Sequence, residues 1–308
     1  MSGGVVVLGV FVADTTFRAD RQPAMGETIL GRSFALGPGG KGSNQAVACG
    51  RSGGSVAMLT RIGRDPFGEM ALRVWREAGV RTDGVERSGD ATGAAYIFIE
   101  HGTGDNAIIV APGAAAGIDA AWVEARRDVV AGASVFATQL EQPMEAAVAA
   151  LRIASEGGAA TILNPAPAAV LPEGVLPLCD YVTPNETEAA ALTGLAVETE
   201  DEARAAGDAL LRLGVRKAAI LTLGARGALY HAADRSEVVP AFRAGPVAET
   251  TGAGDAFNGA FAAALSEGRD PIEAVRFGCA AAAISVTRPG AAASMPARAE
   301  IDALLRGG

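Results

Sequence analysis

The stretch Glu249-Thr250-Thr251-Gly252-Ala253-Gly254-Asp255-Ala256-Phe257-Asn258-Gly259, ETTGAGDAFNG, runs from a glycine-rich turn into a long alanine-rich helix, AFNGAFAAALSEG (256–268). Gly252 and Gly254 allow successive backbone amides to point into one concavity at the helix start, which makes an anion site. The helix dipole adds about 0.3–1 kcal/mol there, and ~2 kcal/mol when partly buried. Asp255 has two readings. An acid in a first helical turn is ordinarily a cap, stabilising by about 0.5–2 kcal/mol. Beside a bound phosphate it is repelled, and its use is then to accept a proton from a hydroxyl that attacks phosphorus.

A second glycine cluster, GPGGKG (37–42), matches two phosphate-binding patterns superficially and fits neither. A dinucleotide loop follows the first buried strand directly and needs an acid about 20 residues on. Here the first apolar run, Val5 to Val12, ends well before it, and no Asp or Glu lies between Gly42 and Asp65. A nucleotide phosphate loop needs Gly at 35 and Ser or Thr at 42, where the chain has Ala35 and Gly42. What remains is a glycine loop leading into a helix, KGSNQAVACGRSGG (41–54). It either turns the backbone tightly or presents amides, Lys41 and Asn44 to hydroxyls or anions.

Around these loops strand-like and helix-like segments alternate. Strands are expected at 5–12, 56–63, 134–141, 160–167, 180–186 and 217–224, and helices at 67–80, 120–132, 144–158 and 200–214. This rhythm predicts a three-layer α/β/α fold with a mainly parallel central sheet. Three strand-like pieces break it: 27–37, and the pair 94–100 and 106–112 joined by HGTGD. They suit a small antiparallel sheet, either a lid over the strand ends or an edge hairpin. With no repeat or low-complexity linker, one domain over 1–308 is expected, with segments of about 13–37 and 93–112 inserted in it.

Composition narrows the function. With 49% hydrophobic and 20% charged residues the chain reads as a globular protein. A net charge of −9 argues against nucleic acid or an anionic membrane as partner. No apolar run reaches the roughly 20 residues of a membrane helix, and the N-terminus reads as a buried strand rather than a signal peptide. Cys49, Cys179 and Cys279 are widely spaced, as expected for reduced thiols of a cytoplasmic protein. His101 and His231 are the only histidines, so carboxylates, lysine and backbone must carry the chemistry.

GPGGKGSNQAVACGR (37–51) and ETTGAGDAFNGAF (249–261) together resemble the two signature regions of the ribokinase-like, phosphofructokinase-B type carbohydrate kinases. TPNETEAAALTG (183–194), TLGARG (222–227) and AAAAISVTRPGA (280–291) fall where that family has its nucleotide and metal elements, and the similarity runs from Val5 to about Ile301. The resemblance implies ATP-dependent phosphorylation of the primary 5-hydroxyl of D-ribose and makes the small sheet a lid. Asp255 would be the general base, and the amides of Gly252, Ala253 and Gly254 the anion hole. Asp14, Gly40, Lys41, Gly42, Asn44 and Glu141 would hold the sugar. Asn185 and Glu188 would organise Mg²⁺ and phosphates through water, and Thr222, Gly224, Gly227 and Gly254 would line ATP. K⁺ would sit among Glu249, Thr251, Ser285, Arg288, Gly290 and Ser294, several of them through carbonyls. The family also implies a homodimer clasped through the lid.

Three positions depart from the resembled pattern. Val12 stands where an asparagine contacts the sugar, Glu249 replaces a shorter aspartate, and Cys279 replaces a histidine near the adenine. Two alternatives stay open: a sister kinase for another sugar, sugar acid or nucleoside, and a non-catalytic sugar- or nucleotide-binding sensor.

Overall fold

The computed structural model describes residues 3–307, so the ends of a domain over 1–308 lie outside it. Its strands, in chain order, are β1 (Val5–Leu8), β2 (Val12–Ala19), β3 (Ser33–Gly39), β4 (Val56–Gly63), β5 (Val85–Ser88), β6 (Thr92–Glu100) and β7 (Asn106–Gly113). There follow β8 (Val135–Thr138), β9 (Ala160–Leu163), β10 (Tyr181–Val182), β11 (Ala218–Thr222), β12 (Ala228–Ala232) and β13 (Ser236–Val239). Nine form the central sheet in the order β13-β12-β11-β10-β9-β8-β1-β4-β5. The run from β11 to β5 is parallel, and β12 and β13 add an antiparallel edge.

The parallel arrangement follows from burial on both faces. Along β1, Val5 and Val7 belong to one apolar core while Val6 and Leu8 belong to the other. Successive side chains point to opposite faces, so a strand apolar at every position needs cover on both sides. Trp75, Phe257 and Phe261 fill the first core, and Phe136, Leu151 and Trp122 the second. No helix among the described residues is long and apolar enough to cross a membrane.

The small sheet has the order β3-β2-β6-β7. Its outer pairs are antiparallel, as expected, while the central pair β2–β6 runs parallel. It is anchored at the C-terminal ends of β1 and β4. The Gly63 amide donates to the Thr92 hydroxyl at 2.8 Å, and the Thr92 hydroxyl in turn donates to Asp65 at 2.7 Å.

Several boundaries differ from the sequence expectation. The apolar run 5–12 is two strands, because β1 ends where Gly9 meets Gly42; a Cβ built on Gly9 would lie 2.7 Å from the Gly42 Cα. The Val10 carbonyl then accepts from the Ser43 amide at 3.1 Å and serves a helix start instead of the sheet. Residues 27–32 are not strand, and β3 begins only at Ser33. The expected helix over 120–132 is two short ones, Ala120–Glu124 and Arg127–Ala131. The first is capped by Asp119, which accepts from the Trp122 amide at 2.7 Å.

Candidate active site

The sequence-expected residues gather at the C-terminal ends of the parallel strands, where open α/β sheets bind ligands. Asp14 lies on β2, and Lys41 and Asn44 start the helix Lys41–Arg51 that follows β3. Glu141 follows β8, Asn185 follows β10, and Thr222 ends β11. The 41–51 helix has no side-chain cap; Gly40 turns into it at φ 88°. Its first amide, that of Lys41, donates instead to the Glu141 carboxylate at 2.7 Å.

Asp255 sits in the first turn of the helix Ala253–Ser266 and is 7% exposed. The Asn44 side-chain amide donates to its Oδ2 at 2.9 Å and that of Gln45 to its Oδ1 at 3.1 Å. Burial raises the Asp255 carboxyl above the usual carboxylate range, against the pull of Lys41, Asn44 and Gln45. Glu141 is pushed up to about 7 by burial, with the charges of Asp255 and Asp14 adding and Lys41 opposing. Burial lifts Asp14 to about 6 and raises Glu188 also. One lysine thus faces several desolvated acids, a grouping typical of functional sites.

These shifts make the ligand-free protein sensitive to pH. Folding raises Asp14 from 3.8 to about 6 and Glu141 from 4.5 to about 7, so across that window the folded chain binds more protons than the unfolded one. Stability contributed by these groups therefore falls as pH rises from about 4 to about 7. Glu141→Gln is expected to flatten the pH dependence of the melting temperature over that range. A slope identical to the wild type would reject the assignment.

At the other helix start, Gly252 is the N-cap, at φ 81° and with no side-chain cap bond. Gly254 is exposed, and a Cβ built on it would meet no atom within 4 Å. The open space therefore lies beside the buried carboxylate of the next residue. The Ala253 amide is engaged by the Thr250 carbonyl at 3.2 Å, which leaves Gly252 and Gly254 as the more open members of the expected anion hole.

Asn185 and Glu188 form a capping box on the helix Glu186–Thr193. Asn185 Oδ1 accepts from the Glu188 amide at 2.8 Å, and Glu188 Oε2 accepts from the Asn185 amide at 2.9 Å. Thr222 pairs with Asn185 in an isolated bridge, and Gly224 and Gly227 bracket the following turn at φ 55° and 99°. No group of three or more His, Cys, Asp or Glu among the described residues could hold a metal ion.

The 249–252 and 285–294 segments also meet. The Gly290 amide donates to Glu249 at 2.8 Å, and a Cβ on Gly252 would lie 3.0 Å from the Ala291 Cα. Ser285 and Ser294 donate their hydroxyls to Ala282 and Ala291 carbonyls, both at 2.8 Å, and Arg288 turns its guanidinium to Glu300. Thr251 is exposed beside them.

Of the positions departing from the resembled pattern, Val12 is 7% exposed and packs in the core with Val10 and Ala95, and Cys279 is buried. The two histidines stand apart from the site: His101 is exposed beyond β6, and His231 bonds Asp208 and Ser236 at 2.9 and 2.8 Å.

Sequence reasoning missed a buried polar chain beneath Asp255. Gln139 donates to Gln45 at 2.5 Å, and Gln45 donates to Asn164 at 3.1 Å. Asn164 donates to the Thr183 carbonyl at 3.0 Å, and the Thr183 hydroxyl to Asn258 at 2.6 Å. Asn258 closes the chain on the Gly254 carbonyl at 2.8 Å. The available signal was amide side chains inside apolar runs, such as Asn164 in ATILNPAP and Asn258 in AFNGAF.

The profile of the pfkB family carbohydrate kinases matches residues 3–298. The chain is 39% identical to a ribokinase of Schizosaccharomyces pombe, over 97% of this chain and 96% of that one. It is 35% identical to a deoxyribokinase of Salmonella typhi, over 95% of each. The structure of Arabidopsis thaliana ribokinase complexed with ribose and ATP superposes with a TM-score of 0.94 at 31% identity, covering 99% of both chains. With the family profile matched over residues 3–298 and relatives alike over nearly their full length, the chain belongs to the pfkB family of carbohydrate kinases.

Proposed function

We propose that this chain is an ATP-dependent kinase of the primary 5-hydroxyl of D-ribose. The observation that carries the reading is the Asp255 carboxylate, buried yet adjacent to the open face of Gly254. Asp255 accepts the proton of the attacking hydroxyl, while the Gly252 and Gly254 amides and the helix start offset charge on the transferring phosphoryl group. Asp14, Gly40, Lys41, Gly42, Asn44 and Glu141 hold the sugar. Asn44 Oδ1 is buried without a protein partner, and a sugar hydroxyl donating to it would relieve that deficit. Thr222, Gly224 and Gly227 line the nucleotide. Glu188 would hold Mg²⁺ through water, and the ion would supply charge neutralisation at the phosphates. K⁺ would sit between the Glu249 turn and the 285–294 loop.

Phosphorylation rates across a panel of pentoses, 2-deoxyribose, hexoses, sugar acids and nucleosides, with and without K⁺, test this. D-ribose is expected to turn over fastest; ribose left inert while another compound reacts would overturn the substrate. The specific second reading is 2-deoxyribose. It is favoured by Val12, an apolar residue where the resembled pattern has a hydrogen-bonding one, and by the likeness to a deoxyribokinase. A non-catalytic sensor is disfavoured because a pure binder has no use for a buried acid at a phosphate site.

We further propose a cytoplasmic homodimer clasped through the small sheet. Phe34 and Ile109 are each more than half exposed on one face of it and Ile108 and Val110 on the other, although exposed edge strands are rarely left so apolar. The three cysteines are free and buried, in keeping with a reducing compartment. Ile109→Glu is expected to convert a dimer to a monomer in light scattering; a wild-type monomer would reject the interface.

A further inference from the structure

We infer that Gln45 is a positioning residue for the reaction: it fixes the Asp255 carboxylate and ties it to the anion loop. The inference rests on the kinase reading above, and it concerns a side chain that touches no substrate in that reading.

Gln45 is 1% exposed, and its amide group is committed on both sides. Its Nε2 donates at 3.1 Å to Asp255 Oδ1 and at 3.1 Å to Asn164 Oδ1, and its Oε1 accepts from Gln139 Nε2 at 2.5 Å. An ionised carboxylate only accepts, so Nε2 must face Asp255, and the Gln139 donor on the opposite side holds that orientation. The backbone carbonyl of Gln139 accepts from Gln142 Nε2 at 2.6 Å, which holds the start of its side chain in place.

The two neighbours Asn44 and Gln45 therefore hold one oxygen of Asp255 each, but they do different work. Asn44 keeps an unpartnered buried Oδ1 and can still turn to a ligand. Gln45 has no such freedom. Its second donor feeds the path through Asn164, Thr183 and Asn258 to the Gly254 carbonyl. One amide thus links the orientation of the base to that of the peptide whose open face lies beside it. A general base must be held in reach of the proton it takes, and displacement of such a group lowers turnover more than binding.

The charges around Asp255 come from four directions. They are Lys41 on the same helix as Gln45, Glu141 after β8, Glu188 on the helix Glu186–Thr193, and Asp14 on β2 beyond Glu141. Lys41 is the one cation among them and the strongest influence favouring the ionised carboxylate, and the neutral donors Asn44 and Gln45 add to it.

The test replaces Gln45 with methionine, which preserves shape and removes the donors. Two quantities are read: steady-state kinetics with D-ribose, and the pH titration of the Asp255 carboxyl ¹³C resonance, identified by its loss in Asp255→Asn. Gln45→Met is expected to lower kcat about tenfold, with the sugar KM little changed, as loss of a hydrogen bond to a charged group implies. The Asp255 titration is expected to move to higher pH, because a donor to the ionised form is gone. An unmoved titration overturns the inference, whatever happens to kcat. If the wild type phosphorylates no alcohol, the kinase reading fails, and the titration still decides the role of Gln45. Should Gln45→Met not fold, Gln139→Met, which frees the far side of Gln45, must move the titration in the same direction or the inference is lost.

Discussion

Asp255→Asn is expected to lower turnover by about 10²–10⁴-fold while sugar binding is largely retained, the range for loss of a positioned general base. The substitution conserves shape and keeps one oxygen for the Gln45 donor, 3.1 Å from Oδ1, while its new amide nitrogen takes the place of Oδ2, where Asn44 can turn its unpartnered Oδ1 to accept from it. It removes the proton acceptor at the helix start. It also relieves a buried negative charge that burial already disfavours, so the variant is expected to fold at least as stably as the wild type. Kinetics and calorimetric sugar binding measured on the same preparation separate these effects. Turnover within a fewfold of the wild type would remove Asp255 from the mechanism and return it to the role of a helix cap.

Gly254→Val tests the anion hole with a comparably large effect. A Cβ at this position meets nothing within 4 Å, and the residue is exposed. The bare fold therefore has room for the side chain, at the modest cost of a β-branched residue in a first helical turn. The occupied space is where the transferring phosphoryl group would approach the Gly252 and Gly254 amides. Turnover is expected to fall about 10²–10³-fold, the cost of losing one preorganised donor, with the melting temperature nearly unchanged. A stable variant with full activity would show that the phosphoryl group passes elsewhere. Gly252→Val is not equivalent. At φ 81° and 3.0 Å from the Ala291 Cα, it would strain the turn itself and confuse folding with chemistry.

Much of this was legible from local sequence. The alternation of short β-branched runs with helical stretches specifies a parallel sheet covered on both faces, and β1 meets that demand residue by residue through two separate cores. Glycine spacing and the acid after it marked the start of the Ala253–Ser266 helix, where the first backbone amides lack helical partners. The breaks were harder to see. Val5 to Val12 reads as one apolar strand, yet it is divided at Gly9 by a contact with Gly42, which lies 33 positions away in the chain. The parallel central pair of the small sheet, β2 with β6, joins segments about eighty residues apart, and no local pattern announces it.

By itself the sequence determined the α/β class, the two glycine loops and the acid that could serve as a base. Those properties follow from side-chain period, backbone permissiveness and composition, which act over a few residues. Only the tertiary structure decided which polar groups meet. Asn44 and Gln45 lie 211 and 210 positions from Asp255 and still supply its donors. Glu141 is 100 positions from the Lys41 amide it accepts from. Burial by the whole fold, not any neighbour in sequence, raises Asp14, Glu141, Glu188 and Asp255 together around one lysine. Desolvation and hydrogen bonding depend on distance in space, and chain order carries that distance only once the sheet has set it.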